Sequence, residues 1–138
     1  MRGQLIALLL GLPALAVLNS CWFGRELGHA VRDIGRLEST ADIERYKQVV
    51  ARQMRAALAQ MVLLAAPAAL FGVGIVTGIL TARDLLFMII PAVVVIAVAA
   101  HYRRVEAAAR EIPAASEELL RQRDAIVQTW LKRPLPDW

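Results

Sequence analysis

The chain has 138 residues, of which 58% are hydrophobic, and its 16 basic and 12 acidic residues give a net charge of +4. Soluble domains average about 45–50% apolar residues. The excess lies in three blocks here, which favours a single membrane domain over a soluble one. Basic residues flank these blocks, which indicates contact with lipid headgroups and no nucleic-acid partner. The one cysteine, Cys21, excludes an intrachain disulfide.

The first apolar block, at about residues 4–23, predicts a membrane-spanning helix. Residues 3–24 carry no charge, and roughly 18 apolar residues can cross a bilayer. An interfacial segment and a cleaved signal peptide, with Ala14-Leu15-Ala16 as the cleavage triplet, remain open. Leu18-Asn19-Ser20-Cys21 resembles a lipoprotein processing box, which implies lipidation at Cys21. Residues 25–37 then predict a short amphipathic helix or a continuation of the first one.

The second predicted helix covers residues 40–80 and crosses the membrane over residues 57–80. Its start, Ser39-Thr40-Ala41-Asp42, fits a capping pattern in which side chains bond to free N–H groups of the first turn. Residues 56–82 carry no charge. Pro67 is expected to kink the helix inside the membrane.

The third predicted span, at residues 85–102, is also uncharged, and only Arg83 and Asp84 separate this uncharged run from the run at residues 56–82. The two spans therefore predict a transmembrane helical hairpin. Residues 103–133 predict cytoplasmic helices broken at 113, because Pro113 lacks an N–H and clashes with the preceding turn. Pro113 is expected in the first turn of the last helix, with Glu117 and Glu118 near the positive end of that helix. The fold class is an all-α integral membrane protein, with residues 1–138 as a single membrane domain.

The distribution of basic residues predicts the orientation. All Lys and Arg residues except Arg2 and Arg83 lie between the first and second blocks or after the third. The positive-inside rule places these flanks in the cytoplasm. A three-span chain then has its N-terminus and residues 81–84 outside and its C-terminus in the cytoplasm. The expected location is a bacterial inner membrane.

Small residues on the second span are candidates for close helix packing. Gly74 and Gly78 form a GxxxG pattern, and small residues four apart let helix backbones approach. Two further small pairs are Ala65 with Ala69 and Ala68 with Gly72. These small residues are expected to pack either against the partner helix of the hairpin or against another chain, and the sequence leaves both alternatives open. The helix-packing candidates are Gly72, Gly74 and Gly78.

The charged helical stretches at about residues 40–55 and 103–131 carry apolar faces. They predict either an antiparallel stalk between the two stretches or contact with a partner protein. The candidate stalk or partner contacts are Ile43, Tyr46, Val50, Leu119, Leu120, Ile126, Val127 and Trp130.

The two histidines are weak ligand candidates. Ala97-Val98-Ala99-Ala100-His101 resembles the Ala-x-x-x-His spacing of light-harvesting antenna helices, which implies a pigment or haem ligand at His101. Glu26, His29 and Asp33 share a helical face, but carboxylate-bridged di-iron sites need two Glu-x-x-His pairs. An interfacial His101 and a local ion pair around His29 are the simpler interpretations. We therefore expect no metal and no cofactor.

The chemistry of the chain favours a non-enzymatic role. No ionisable residue lies deep within a span, which argues against a self-sufficient pump or transporter. A phosphate-binding loop, a nucleophile with a base and a paired-carboxylate site are also missing from the sequence. The leading hypothesis is a small accessory subunit or scaffold that acts through helix–helix packing. Its partners would be the lipid bilayer and other membrane subunits or a second copy.

Two alternatives come from resemblance. The chain resembles the three-span class of phage holins in its small size, its three spans and its outside N-terminus. This resemblance in topology implies a pore-forming protein. The charged stretch between the first two spans departs from that compact layout. The second alternative is a pigment- or haem-binding accessory chain that uses His101 or His29.

Overall fold

The computed structural model describes residues 1–138, and its regular elements are all helices. Its elements are α1 (Arg2–Ile34), α2 (Thr40–Val76), a 3₁₀ turn (Ala82–Leu85), α3 (Leu86–Arg110) and α4 (Glu117–Lys132). The one β-type pairing is an isolated bridge between Leu37 and Ala114. The predicted all-α fold is therefore confirmed.

Three helical segments are long and apolar enough to cross a membrane: Arg2–Ile34, Thr40–Val76 and Ala82–Arg110. In the most apolar window of each segment, only 17%, 11% and 6% of the residues, respectively, are buried. Soluble monomers rarely leave contiguous apolar surface of this extent in water. The prediction of three membrane-length helices is confirmed, and their exposed apolar surface suggests a membrane protein.

The first helix is longer than the first apolar block. α1 continues through Pro13 to Ile34, so residues 25–34 continue the helix and do not form a separate one. Apolar spans tolerate such a proline because neighbouring groups satisfy the freed backbone. The helix ends before Gly35, whose φ of +54° is a left-handed conformation that glycine adopts at little cost.

The start of α2 has the reciprocal cap that the sequence predicts. The N–H of Asp42 donates to Oγ of Ser39 at 3.3 Å. The Asp42 carboxylate accepts from the Ser39 hydroxyl at 2.9 Å and from the N–H groups of Ser39 and Glu38 at 2.9 and 3.1 Å. The Ser39 hydroxyl above all, and then the Glu38 N–H, hold the pKa of Asp42 below its usual value.

The end of α2 differs from the prediction, because the helix stops at Val76 and not at residue 80. Gly78 has a φ of +70°. The N–H of Ile79 donates to the carbonyl of Gly74 at 2.9 Å, and the N–H of Gly78 donates to Ile75 at 3.0 Å. These two bonds form a Schellman motif, in which a left-handed glycine terminates a helix. The apolar sequence continues past Val76, but the left-handed conformation of Gly78 ends the helix there.

The helices are interrupted around Pro113, but the start of α4 differs from the prediction. Pro113 lies in the connection between α3 and α4, and its carbonyl accepts from the N–H of Leu37 at 2.8 Å. α4 begins at Glu117, where Oγ of Ser116 accepts from the N–H of Leu119 at 3.3 Å. Ser116 is a stronger helix start than Pro113 because its side chain satisfies a free N–H. Glu117 and Glu118 do occupy the first turn, as predicted.

The chain packs as two compact units. Unit 1 comprises Met1–Cys21 and Ala59–His101, and unit 2 comprises Trp22–Leu58 and Tyr102–Trp138. Unit 1 holds nearly all of the uncharged segments. The Asp, Glu, Lys and Arg residues of unit 1 are Arg2, Arg83 and Asp84, and all the others belong to unit 2.

Candidate functional site

The apolar faces of the charged stretches pack on one another in unit 2. The buried core consists of Leu37, Ile43, Tyr46, Val50, Met54, Ile112, Leu119 and Ile126, and Val31, Ile34, Ala114, Val127 and Trp130 pack against it. Burying one large apolar side chain contributes roughly 1.5–3 kcal/mol. The stretches therefore form an intramolecular core, which is the first of the two arrangements that the sequence left open.

All of the predicted stalk or partner contacts except Leu120 either belong to this core or, like Val127 and Trp130, pack against it. Leu120 is 37% exposed, whereas its neighbour Leu119 is 9% exposed. Because the core residues contact one another, their apolar faces are not free for a partner.

Tyr46 connects α2 to the last turns of α3. Its side chain is 1% exposed, and its hydroxyl donates to the carbonyl of Ala109 at 2.9 Å. Burial, which disfavours the phenolate, raises the pKa of Tyr46 to about 12. The nearby Arg123 and Arg110 oppose this shift only in part.

Two arginines connect α4 to the end of α3. Arg123 donates from Nη1 to the carbonyl of Ile112 at 2.9 Å. The guanidinium carbon of Arg110 lies 5.0 Å from the centroid of the Trp130 ring, within the range of a cation–π contact. The two arginines therefore use hydrogen-bonding and ring contacts to hold the last helix on the core.

The connections that precede α2 and α4 pair with each other. The N–H of Leu37 donates to the carbonyl of Pro113, and the carbonyl of Leu37 accepts from the N–H of Ala115. Both distances are 2.8 Å. Leu37 itself is fully buried. Two loops far apart in sequence thereby satisfy each other's backbone groups, as buried loops must.

The three residues considered for a metal site have other surroundings. Glu26 forms an ion pair with Arg52 on α2 at 2.7 Å. Nδ1 of His29 lies 3.3 Å from Nη2 of Arg32, and Asp33 is exposed. No three His, Cys, Asp or Glu side chains lie together closely enough to hold a metal ion.

Within unit 2, α1 contacts both α2 and α3 at one level. Nε2 of Gln53 donates to the carbonyl of Phe23 at 2.8 Å. Gly24 is buried against the ring of Tyr102, and a Cβ at position 24 would lie 2.5 Å from Cγ of that ring. This close approach of α1 and α3 therefore requires a glycine.

Within unit 1, the start of α1 lies beside the connection between α2 and α3. Nη2 of Arg2 lies 2.9 and 3.2 Å from the two carboxylate oxygens of Asp84. Asp84 also accepts from the N–H and hydroxyl of Thr81 at 2.8 and 3.0 Å. Asp84 is 4% exposed, so these four bonds compensate for the removal of its carboxylate from solvent.

A second polar contact in unit 1 joins α1 to α2. Nδ2 of Asn19 donates to Oε1 of Gln60 at 3.1 Å. Both residues stand in uncharged stretches of sequence. Hydrogen bonds of this kind between apolar helices stabilise their packing in the absence of a hydrophobic drive.

The three glycines predicted to pack helices have different surroundings. Gly74 is buried, and a Cβ there would lie 2.5 Å from Leu80 and 3.0 Å from Leu5 on α1. Gly78 lies beyond the end of α2 and terminates it. Gly72 is exposed, with nothing within 4 Å of a Cβ at its position. The GxxxG pair is therefore not a single packing surface on one helix.

Beside Gly72, α2 has an exposed face of small residues. Ala65, Ala68 and Ala69 are all exposed, and their three- and four-residue spacing places them on the same side of the helix as Gly72. We name this set, Ala65, Ala68, Ala69 and Gly72, the small-residue face. It corresponds to the two alanine-containing pairs that the sequence indicates.

His101 lies on α3 and is exposed, as is Ala97 one turn before it. Cys21 lies within α1 and is partly exposed. Ligand binding at His101 and lipidation at Cys21 stay predictions.

The sequence interpretation missed four contacts: Arg2 with Asp84, Asn19 with Gln60, Gly24 with Tyr102, and Leu37 with the segment after Ile112. Asn19 and Gln60 carry a usable signal, since isolated amides in uncharged stretches are expected to pair. The other three join residues far apart in sequence. Comparison of the chain with known protein families, with curated proteins and with solved structures gives no match.

Proposed function

We propose that this protein is a non-enzymatic, three-span membrane scaffold or accessory subunit that binds another membrane helix through the small-residue face of α2. The observation that carries the proposal is the exposure of Gly72, where an added Cβ would meet no neighbouring side chain within 4 Å, on a helix whose apolar window is only 11% buried. Small residues allow the close backbone contact on which helix association in lipid depends.

The core of unit 2 supports this choice of surface. The apolar side chains of the charged stretches are already in contact with one another. The large exposed apolar residues of α3, such as Ile90, Val93 and Ile96, suit lipid tails. The small-residue face is the part of α2 on which a second helix can approach most closely.

The proposed orientation has the N-terminus and residues 81–84 outside a bacterial inner membrane and the C-terminus in the cytoplasm. The Arg2–Asp84 pair supports it, because it joins the start of α1 to the connection between α2 and α3. Two crossings, by α1 and α2, separate these points along the chain, so the pair agrees with an N-terminus and residues 81–84 on the same side. The basic residues of unit 2 then obey the positive-inside rule.

Replacement of Gly72 by Leu tests the proposal. Gly72→Leu adds a bulky side chain to the small-residue face, whereas the control Val73→Leu enlarges a side chain that is already 61% exposed. We expect native electrophoresis in mild detergent to show a complex for the parent chain and Val73→Leu and its loss for Gly72→Leu. A strictly monomeric parent chain with no copurifying protein would contradict the proposal.

A further inference from the structure

Each long helix has arginines at the point where its uncharged segment meets the charged sequence. Arg25 follows the first uncharged segment, Arg55 precedes the second, and Arg103 and Arg104 follow the third. All four side chains are exposed. We name these four residues the arginine belt.

Contacts within unit 2 place the belt residues at one level of the three helices. Arg52 pairs with Glu26 at 2.7 Å and Gln53 bonds to Phe23 at 2.8 Å, which aligns α2 with α1. The ring of Tyr102 covers Gly24, which aligns α3 with α1. Each belt arginine lies within three residues of one of these contacts.

The belt differs from most basic positions elsewhere in unit 2, which have acidic partners. The ion pairs are Lys47 with Glu44, Arg52 with Glu26, Arg110 with Glu106, Arg121 with Glu117, Arg123 with Asp124, and Arg133 with Asp137. None of the belt arginines forms an ion pair. Four guanidinium groups at one level without internal counterions are suited to an external anion.

The neighbouring aromatic residue indicates which anion. Trp22 is 72% exposed and lies three residues before Arg25 on α1. Exposed tryptophans are typical of the headgroup level of membrane helices, where the ring contacts apolar and polar regions. Free phosphate offers nothing to an exposed indole, whereas a phospholipid presents a phosphate and acyl chains together.

We infer that the arginine belt and Trp22 bind the phosphate headgroups of anionic phospholipids, and that the protein prefers phosphatidylglycerol to phosphatidylcholine. This inference rests on the proposed membrane insertion. Guanidinium groups donate paired hydrogen bonds to phosphate oxygens. Basic residues near an anionic surface contribute enough for roughly a fivefold change in affinity each.

Native mass spectrometry of the full chain in mild detergent tests the inference with phosphatidylglycerol and phosphatidylcholine of identical acyl chains. In the belt variant, Arg25, Arg55, Arg103 and Arg104 are all changed to Gln. In the control variant, Arg36, Arg45, Arg121 and Lys132, four exposed residues elsewhere in unit 2, are changed to Gln. A third variant replaces the belt arginines by Lys and checks that charge at this level is what matters.

We expect phosphatidylglycerol adducts to exceed phosphatidylcholine adducts for the parent chain and the control variant. The belt variant should lose at least about tenfold in phosphatidylglycerol affinity. The Lys variant keeps the charge but not the paired hydrogen bonds, so its loss should be smaller than that of the belt variant. Far-UV circular dichroism should show equal helix content in all four proteins. Equal losses in the belt and control variants would overturn the inference, because net charge would then explain the binding.

A competition experiment distinguishes the phosphate of a lipid headgroup from free inorganic phosphate. Inorganic phosphate at millimolar concentration should leave lipid adducts unchanged, and their displacement would overturn the assignment to lipid. Carbonate extraction of the parent chain from membranes tests the proposed function separately. Release by carbonate contradicts membrane insertion, whereas a membrane-resident chain without lipid preference contradicts only the inference.

Discussion

The guanidinium of Arg2 lies 2.9 Å from Oδ1 of Asp84, a carboxylate 82 positions away in sequence and 4% exposed. Arg2 stands at the start of α1, and Asp84 lies in the 3₁₀ turn between α2 and α3. Leu5 on α1 also lies beside Gly74 near the end of α2. The N-terminal segment is thus a packed part of unit 1, which weakens the cleaved signal peptide as an interpretation of the first apolar block.

We expect residues 1–21 to remain attached in the mature protein. Cleavage would remove the ion-pair partner of Asp84 together with Leu9 and Ala16, which are fully buried. The intact mass of protein purified from membranes measures this directly. A chain that begins after Ala16, or one that begins at a lipidated Cys21, would contradict the expectation.

Stability should fall between pH 10 and 12 because of Tyr46. Its pKa is about 10 when unfolded and about 12 when folded, so the folded state holds the proton more tightly. The stabilisation is complete below pH 10 and is lost as the pH rises through 12, by about 2–3 kcal/mol. Chemical unfolding in detergent at pH 9 to 12 measures the slope.

The matched control for this prediction is Tyr46→Phe. It removes the titrating hydroxyl and the bond to Ala109, at a cost of about 1 kcal/mol at neutral pH. Its stability should then change less between pH 10 and 12 than that of the parent chain. Parallel curves for the two proteins would contradict the assignment to Tyr46.

Gly24→Ala should destabilise the protein by roughly 1–3 kcal/mol, because overpacking forces helices apart. The new Cβ would overlap the ring of Tyr102. Gly11→Ala is the control, since nothing lies within 4 Å of a Cβ there and alanine favours a helix by about 1 kcal/mol. Thermal unfolding followed by circular dichroism should give opposite shifts, and equal shifts would contradict the close approach.

Leu119→Ala should cost roughly 2–5 kcal/mol, because it leaves a cavity in the core of unit 2. Leu120→Ala alters the adjacent residue of α4, which is 37% exposed, and should change stability by less than about 1 kcal/mol. Denaturant unfolding of the two variants measures the difference. Similar values would mean that α4 is not packed on its Leu119 face.

The scaffold proposal and the holin-like alternative differ in their effect on the membrane potential. We expect induced expression to leave the potential and growth unchanged, since no span has an ionisable residue deep within it that would attract water or ions. A potential-sensitive dye measures the response. Rapid collapse of the potential would favour the pore-forming alternative over the scaffold.

Local patterns in the sequence predict much of the fold. The uncharged segments, the Ser39–Asp42 cap and the breaking effect of Pro113 act over a few neighbouring residues, so they can be recognised without the fold. The termination of α2 by Gly78 and the capping of α4 by Ser116 were missed. The same residue types also occur inside helices, and the surrounding hydrogen bonds decide their role.

The sequence by itself determines that the chain is helical, carries three membrane-length apolar segments and concentrates its charge outside them. These properties follow from the composition and from the spacing of apolar and charged residues along the chain, and neither depends on how the helices pack. Only the tertiary structure decides that the charged stretches pack on each other through Tyr46 and Leu119, that Arg2 neutralises Asp84, and that Gly72 faces outward while Gly74 is buried. Those outcomes depend on which helix faces come into contact, and this is set by long-range packing and hydrogen bonding.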